Sequence, residues 1–206
     1  IREAQESRGT GDGYSRQVEN VVVVVNPTPV LSSTLAPAAI CDGDTFNYTA
    51  TSAKGGASFS WKGARSEGNM CVVGGGPTVG NVNEVLTNST SAPIAVTYVY
   101  TTTANGCVDV AGENVVVVVN PTPVLSSPLT PADICSGDTF SYTATSATGG
   151  ATFAWSRAVV LGISEPASSG AVASISETLT NTTSAPIAVT YAYTTTANGC
   201  SSAVEN

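Results

Sequence analysis

The sequence predicts an all-β fold, tandem antiparallel β-sandwiches, on three observations. The 206 residues are 42% hydrophobic but only 11% charged, and Thr and Ser are abundant. β-Branched residues pack well on a pleated surface, and this much apolar content with so little charge argues against disorder. Second, the chain repeats itself at the length of a whole domain. Third, apolar and polar residues alternate between clusters of Gly, Pro and Asn, and no segment has a convincing helical period.

The repeat sets the organisation. Glu19-Asn20, then Val21, Val22, Val23, Val24 and Val25, then Asn26-Pro27-Thr28-Pro29-Val30-Leu31-Ser32-Ser33, returns from Glu113 onward, an offset of 94 residues. Cys41-Asp42-Gly43-Asp44-Thr45-Phe46 returns as Cys135-Ser136-Gly137-Asp138-Thr139-Phe140, and Trp61 as Trp155. Ser91-Ala92-Pro93-Ile94-Ala95-Val96-Thr97-Tyr98 returns from Ser184 to Tyr191. Such a period is too long for a solenoid turn and suits a whole sandwich. The expected division is residues 1–26, the end of a preceding unit with an orphan last strand; 27–120, the first sandwich repeat; and 121–206, a second repeat lacking its last strand. Residues 1–17 do not match the corresponding stretch of the first repeat, and Gly13 stands where Cys107 stands.

Within one unit the strands follow in order. Residues 30–33 come first, after the Pro-rich joint. Residues 45–51 place Phe46, Tyr48 and Ala50 on one face. Residues 58–62 place Phe59 and Trp61 together. Residues 63–80 are Gly-rich and loop-like, 82–87 reads as a strand, and 94–102 aligns Ile94, Val96, Tyr98 and Tyr100. Asn105-Gly106 and Asn198-Gly199 are type I′ hairpin signals, because both central residues need positive φ. The valine run then closes the unit. Five valines in a row lack the alternation of a half-exposed strand, so both faces are expected to be covered. Phe46, Tyr48, Phe59, Trp61 and Tyr98, with Phe140, Tyr142, Phe153, Trp155 and Tyr191 in the second unit, are the expected core.

Pro27 and Pro29, and again Pro121 and Pro123, form the joints between units. Alternating prolines hold the chain extended and remove backbone donors, which predicts short, semi-rigid joints and units lined up end to end. An ordinary Pro-capped strand end predicts the same local geometry. Each unit has one cysteine at its early strand (Cys41, Cys135) and one just after its Asn-Gly turn (Cys107, Cys200). Matching pairs suggest Cys41–Cys107 and Cys135–Cys200 disulfides in an oxidising compartment; the alternative is half-buried free thiols. Cys71, in the variable loop of the first unit, has no counterpart in the second. It is either free or a bridge to another chain.

The same composition excludes much. Seven basic residues against fifteen acidic give a net charge of −8, the wrong sign for nucleic acid or an anionic membrane. No stretch approaches the ~20 apolar residues of a membrane span, so no membrane insertion is expected. The chain has no His, which removes the commonest general base and metal ligand, so neither catalytic nor metal residues are assigned and no cofactor is expected. Asp42, Asp44 and Asp138 sit in turns, where capping is the usual role and Ca²⁺ binding the rarer one. The glycan-acceptor matches at Asn47, Asn88 and Asn181 carry little weight in Thr-rich strands.

Taken in order, Ile-Cys-x-Gly-Asp-Thr-Phe-x-Tyr-Thr-x-Thr-Ser-Ala, Phe-x-Trp, Ala-Pro-Ile-Ala-Val-Thr-Tyr-x-Tyr, and Ala-Asn-Gly-Cys with a valine strand ending Asn-Pro-Thr-Pro resemble the PKD-like, immunoglobulin-like repeats of very long Bacteroidota surface proteins. The resemblance covers residues 18–206. It implies export by the type IX route to the bacterial cell surface, and a role in adhesion, gliding or extracellular filaments.

The functional expectation is therefore a structural, non-enzymatic segment of a secreted surface adhesin or filament. Its partners are other copies of itself or adjoining repeats of one long chain. The valine run 21–25 is expected to complete the second sandwich of the next copy by strand addition, either exchanged between subunits or as the continuation of one longer covalent chain; finding that run unpaired in the structure would defeat the idea. The competing expectation is a module that binds a glycan or protein through the divergent loops 63–80 and 156–174, although those loops carry no aromatic side chain for a sugar.

Overall fold

The computed structural model describes residues 19–63 and 78–205. The described residues are all strand, turn and coil, with no helix. They form two sandwiches, each with its own core. Residues 1–17 and Cys71 lie outside the described residues.

The first sandwich comprises β1 (Ile40–Cys41), β2 (Thr45–Tyr48), β3 (Ser58–Gly63), β4 (Thr78–Val79), β5 (Val82–Val85), β6 (Ile94–Ala104), β7 (Cys107–Val108) and β8 (Glu113–Asn120). One sheet runs β1-β8-β6-β3-β4, with β7 paired to the end of β6, and the other is the β2-β5 pair. Alternation decides which residues face inward. Phe46 and Tyr48 point in from β2, Trp61 from β3, and Val96, Tyr98 and Tyr100 from β6, all buried. Their rings interlock: Phe46 stacks on Tyr98 with centroids 5.4 Å apart, and Trp61 meets Tyr98 edge-on at 5.2 Å. Such pairs add to the burial of aromatic area. Phe59 is partly buried against the same core.

The turns follow their residues. Asn105 and Gly106 have φ of 50° and 76°, and Asn198 and Gly199 have 51° and 80°, as a type I′ turn requires. In the Cys-x-Gly-Asp turn, the Asp44 carboxylate accepts the Cys41 N–H at 2.9 Å, and Asp138 repeats this with Cys135 at 3.1 Å. The Asp42 carboxylate accepts the Asn88 N–H at 2.7 Å. These aspartates cap turns.

Three features depart from the sequence expectation. Residues 30–33 are not a strand: Ser32 donates one backbone bond to Thr51, and the Leu31 N–H goes instead to the carboxylate of Glu113 at 2.5 Å. A side chain takes the place of a ladder partner, so no run of pairs forms. β1 pairs with β8 in parallel, in an otherwise antiparallel fold, with Ile40 opposite Val119 and Cys41 opposite Asn120. The valine strand is covered unequally: Val115, Val117 and Val119 are 0% exposed, whereas Val116 and Val118 are only half-buried. β8 lies between β1 and β6, so it is not an edge.

The second sandwich comprises β9 (Thr139–Thr143), β10 (Thr152–Arg157), β11 (Ser168–Gly170), β12 (Ser174–Thr178), β13 (Ala192–Ala197) and β14 (Cys200–Ser201). Its sheets are β11-β10-β13-β14 and β12-β9. Trp155, Ile175 and Tyr193 are buried, while Phe140, Tyr142, Phe153 and Tyr191 are only partly covered. Among the described residues no strand stands where β8 stands in the first sandwich.

Candidate functional site: the open edge and the joint

β6 and β13 are equivalent strands of near-identical sequence, yet β6 has 11 residues and β13 has 6. The missing part is residues 187–191, which match 94–98. In the first sandwich β3 pairs with β6 only from Tyr98 onward, while β8 pairs with residues 94–100. Residues 94–97 are thus held in a strand by β8 alone. Among the described residues nothing pairs with 187–191 as β8 pairs with 94–98, and no strand is formed there.

A groove of about 1090 Å³ lies along the second sandwich, lined by apolar side chains such as Phe140, Ile175, Ile187 and Tyr191 and by polar ones such as Asn181, Thr190 and Glu205. In the first sandwich this space is filled by Val115, Val117 and Val119. The second unit reaches as far as the start of its own closing strand. Glu205 pairs with Tyr193 as Glu113 pairs with Tyr100, and its carboxylate accepts the Leu125 N–H at 3.1 Å, as that of Glu113 accepts Leu31. Burial pushes the Tyr193 phenol up to about 12.

The valine run 21–25 is the sequence equivalent of residues 115–119 in β8. It forms no strand in this chain, and its five valines are 78–99% exposed. The run is thus unpaired here, the outcome named above as counting against its role as a closing strand. The physical reason is that the first sandwich already holds its own valine strand as β8, between β1 and β6.

The cysteines pair differently from the expectation. Cys41 is bonded to Cys200, across 159 residues and between the two sandwiches, with Cα atoms 5.7 Å apart. Cys107 and Cys135 are free. Topology forbids the expected pairs. Cys41 sits beside Asn120, at the Ile94 end of β6, while Cys107 pairs with Ala104 at the other end. Ten residue steps along a strand span about 33 Å, against the roughly 7 Å that a disulfide tolerates between Cα atoms. Cys135 and Cys200 are the repeat equivalents of Cys41 and Cys107, and Cys200 is already bonded to Cys41.

Around this bond the joint is hydrogen-bonded. The Asn120 amide donates to the Asn198 carbonyl at 3.1 Å, and the Asn120 carbonyl accepts the Asp42 N–H at 2.8 Å. Pro121 and Pro123 are buried here. At the front of the first sandwich the same half-joint recurs: the Asn26 amide donates to the Asn105 carbonyl at 3.3 Å, and Pro29 is buried although Pro27 is exposed. Sequence reasoning placed Asn26 and Asn120 beside the joint prolines and Asn198 in its turn, but missed the bonds they make across the joint and the role of Glu205. The signal was available, since each recurs at the repeat offset beside a residue that was named.

A second missed residue is Arg157, 2% exposed, where the first unit has Gly63. Its guanidinium donates to Glu177 at 2.9 Å and to the Pro166 carbonyl at 2.6 Å, and lies 6.0 Å from the Tyr191 ring centroid. Burial raises the Glu177 carboxyl, but hydrogen bonds from Ser168, Tyr191 and Arg157 and the Arg157 charge outweigh it, holding Glu177 below the usual carboxylate range. Nearby, the Thr180 N–H pulls Glu165 down to about 2. Arg157, Ser164, Glu165 and Ser168 of loop 156–174 are thus engaged by other groups of the second sandwich. Most of the other variable loop, residues 64–77, lies outside the described residues.

These features are two duplicated units stapled to each other by one disulfide. The PKD-like domain family matches residues 38–123 and again 132–204. The chain belongs to that family. PKD-like domains are typically binding or structural modules and extracellular, and a disulfide fits such a setting. No curated protein matches this PKD-like chain. Two solved structures are similar, "Dpr11 IG1 bound to DIP-gamma IG+IG2" and "DIP-gamma IG1+IG2". Identity is 10% and 9%, with TM-scores of 0.37 and 0.38, covering 84% and 85% of the PKD-like chain and 92% and 95% of theirs. Among the described residues no group of three or more His, Cys, Asp or Glu side chains could hold a metal, and no helix is long and apolar enough to cross a membrane.

Proposed function

We propose that this chain is a structural segment of a secreted bacterial surface adhesin or filament, in which PKD-like units stack end to end and the valine run 21–25 of one copy closes the second sandwich of the next. The observation that carries the reading is the identity of the exposed run 21–25 with residues 115–119 of β8, which fill the equivalent place in the first sandwich. β8 supplies the register. Val21 would pair with Tyr191, Val23 with Val189 and Val25 with Ile187, placing Val21, Val23 and Val25 in the groove as Val115, Val117 and Val119 lie in theirs. Main-chain bonds give such strand addition its affinity and side-chain pockets its specificity. The interface is head-to-tail, so it propagates rather than closes.

Sedimentation of the purified chain over a range of concentrations tests this. The chain is expected to form end-to-end oligomers, and Val23→Asp, which puts a charge into the groove, to abolish them. Val24→Thr, on the half-covered face, is expected to assemble normally. The run is exposed in the single chain, so neither change should unfold it. A strictly monomeric chain, or Val23→Asp assembling like the parent, would overturn the reading.

A further inference from the structure

The geometry points to Cys107 and Cys135 as the two halves of a second inter-unit disulfide, which locks each strand-closed joint covalently. The inference rests on the end-to-end reading above.

The structure contains one worked example of the bond. Cys41 lies beside Asn120 in the β1–β8 pair, the Asn120 amide grips the Asn198 carbonyl of the next unit, and Cys200, two residues beyond Asn198, is bonded to Cys41. Cys135 is the repeat equivalent of Cys41, and Cys107 that of Cys200. Half of the second joint is already in place. The Asn26 amide grips the Asn105 carbonyl, and the Cys107 sulfur stands 3.8 Å from the Asn26 carbonyl. If the valine run of a second copy enters the groove in the β8 register, Cys135 of the acceptor falls opposite Asn26 of the donor, as Cys41 falls opposite Asn120. The two sulfurs then meet as those of Cys41 and Cys200 do. Cys135 is exposed and Cys107 half-exposed, so both are open to exchange. Within one chain they cannot pair, because Cys135 belongs to the trailing half of one joint and Cys107 to the leading half of another.

Forming the bond takes two electrons from two thiols, and a small-molecule or protein disulfide is the oxidant. One thiolate attacks it, expelling a first thiol and leaving a mixed disulfide. The second thiolate then attacks the protein sulfur of that mixed disulfide and expels a second thiol. The net change is two protein thiols and one disulfide giving one protein disulfide and two released thiols.

The test incubates the full chain with oxidised glutathione at a concentration where sedimentation shows oligomers, then separates it under denaturing, non-reducing conditions. A ladder of covalent oligomers is expected, with peptides joining Cys107 to Cys135. Cys107→Ser and Cys135→Ser, each outside both cores, should remove the ladder while leaving the non-covalent oligomers. Oligomers without that linkage, or a ladder joined through other cysteines, would overturn this inference but not the strand-exchange reading. A chain that is monomeric throughout would overturn both.

Discussion

Arg157 shows what one residue does to a duplicated fold. Where the first unit has Gly63, the second buries a guanidinium and satisfies it with Glu177, the Pro166 carbonyl and the face of Tyr191. Removing the guanidinium takes one charged donor from Glu177, which keeps the hydroxyl donors of Ser168 and Tyr191, at a cost of about 1.5–3 kcal/mol. Arg157→Ala is expected to lower the second sandwich's resistance to urea by that order while the first unfolds unchanged, as resolved by residue-specific hydrogen exchange. Acid acts on the same pair. The Glu177 carboxyl is held below its unfolded value, so its contribution is fully present above about pH 4.3 and is lost as pH falls through the folded value. Acid titration of the second unit should show that loss, and Glu177→Gln should flatten it. Gly170 presses on the Trp155 indole, where an added Cβ would stand 2.9 Å from Nε1. Gly170→Ala is therefore expected to destabilise the second unit by about 1–3 kcal/mol, measured by thermal unfolding.

At the scale of elements, the strands were legible where alternation and turn chemistry agreed. Phe46 and Tyr48 in β2, Val96, Tyr98 and Tyr100 in β6, and both Asn-Gly turns could be placed from residue type alone. Residues 30–33 could not, because their partner is the Glu113 side chain rather than a strand, and nothing local signals that. The same interaction is open to test. Glu113→Ala leaves the Leu31 N–H without its acceptor, and about 1–3 kcal/mol of stability should be lost from the first sandwich. The disulfide pairing was misjudged for a different reason. Two cysteines per unit suggest a bond within the unit, but the length of β6 places them at opposite ends. Sequence shows which cysteines recur; only the topology shows which ends meet.

For the whole molecule, the Cys41–Cys200 bond ties the two sandwiches to each other rather than closing either core. Cys41→Ser is thus expected to leave both melting transitions in place while broadening the distance between spin labels on the two units. Unchanged distances would mean that the Asn120–Asn198 contact and the buried prolines hold the joint unaided. The central claim concerns the open edge. Among the described residues nothing pairs with 187–191 as β8 pairs with 94–98, and the proposal is that a valine strand from another copy does so. Amide hydrogen exchange at Ile187, Val189 and Tyr191, followed as concentration is raised, tests this most directly. Exchange should be fast in dilute chain and slow to the level of Ile94, Val96 and Tyr98 in the assembled state. Fast exchange at those amides in an assembled sample would contradict the account.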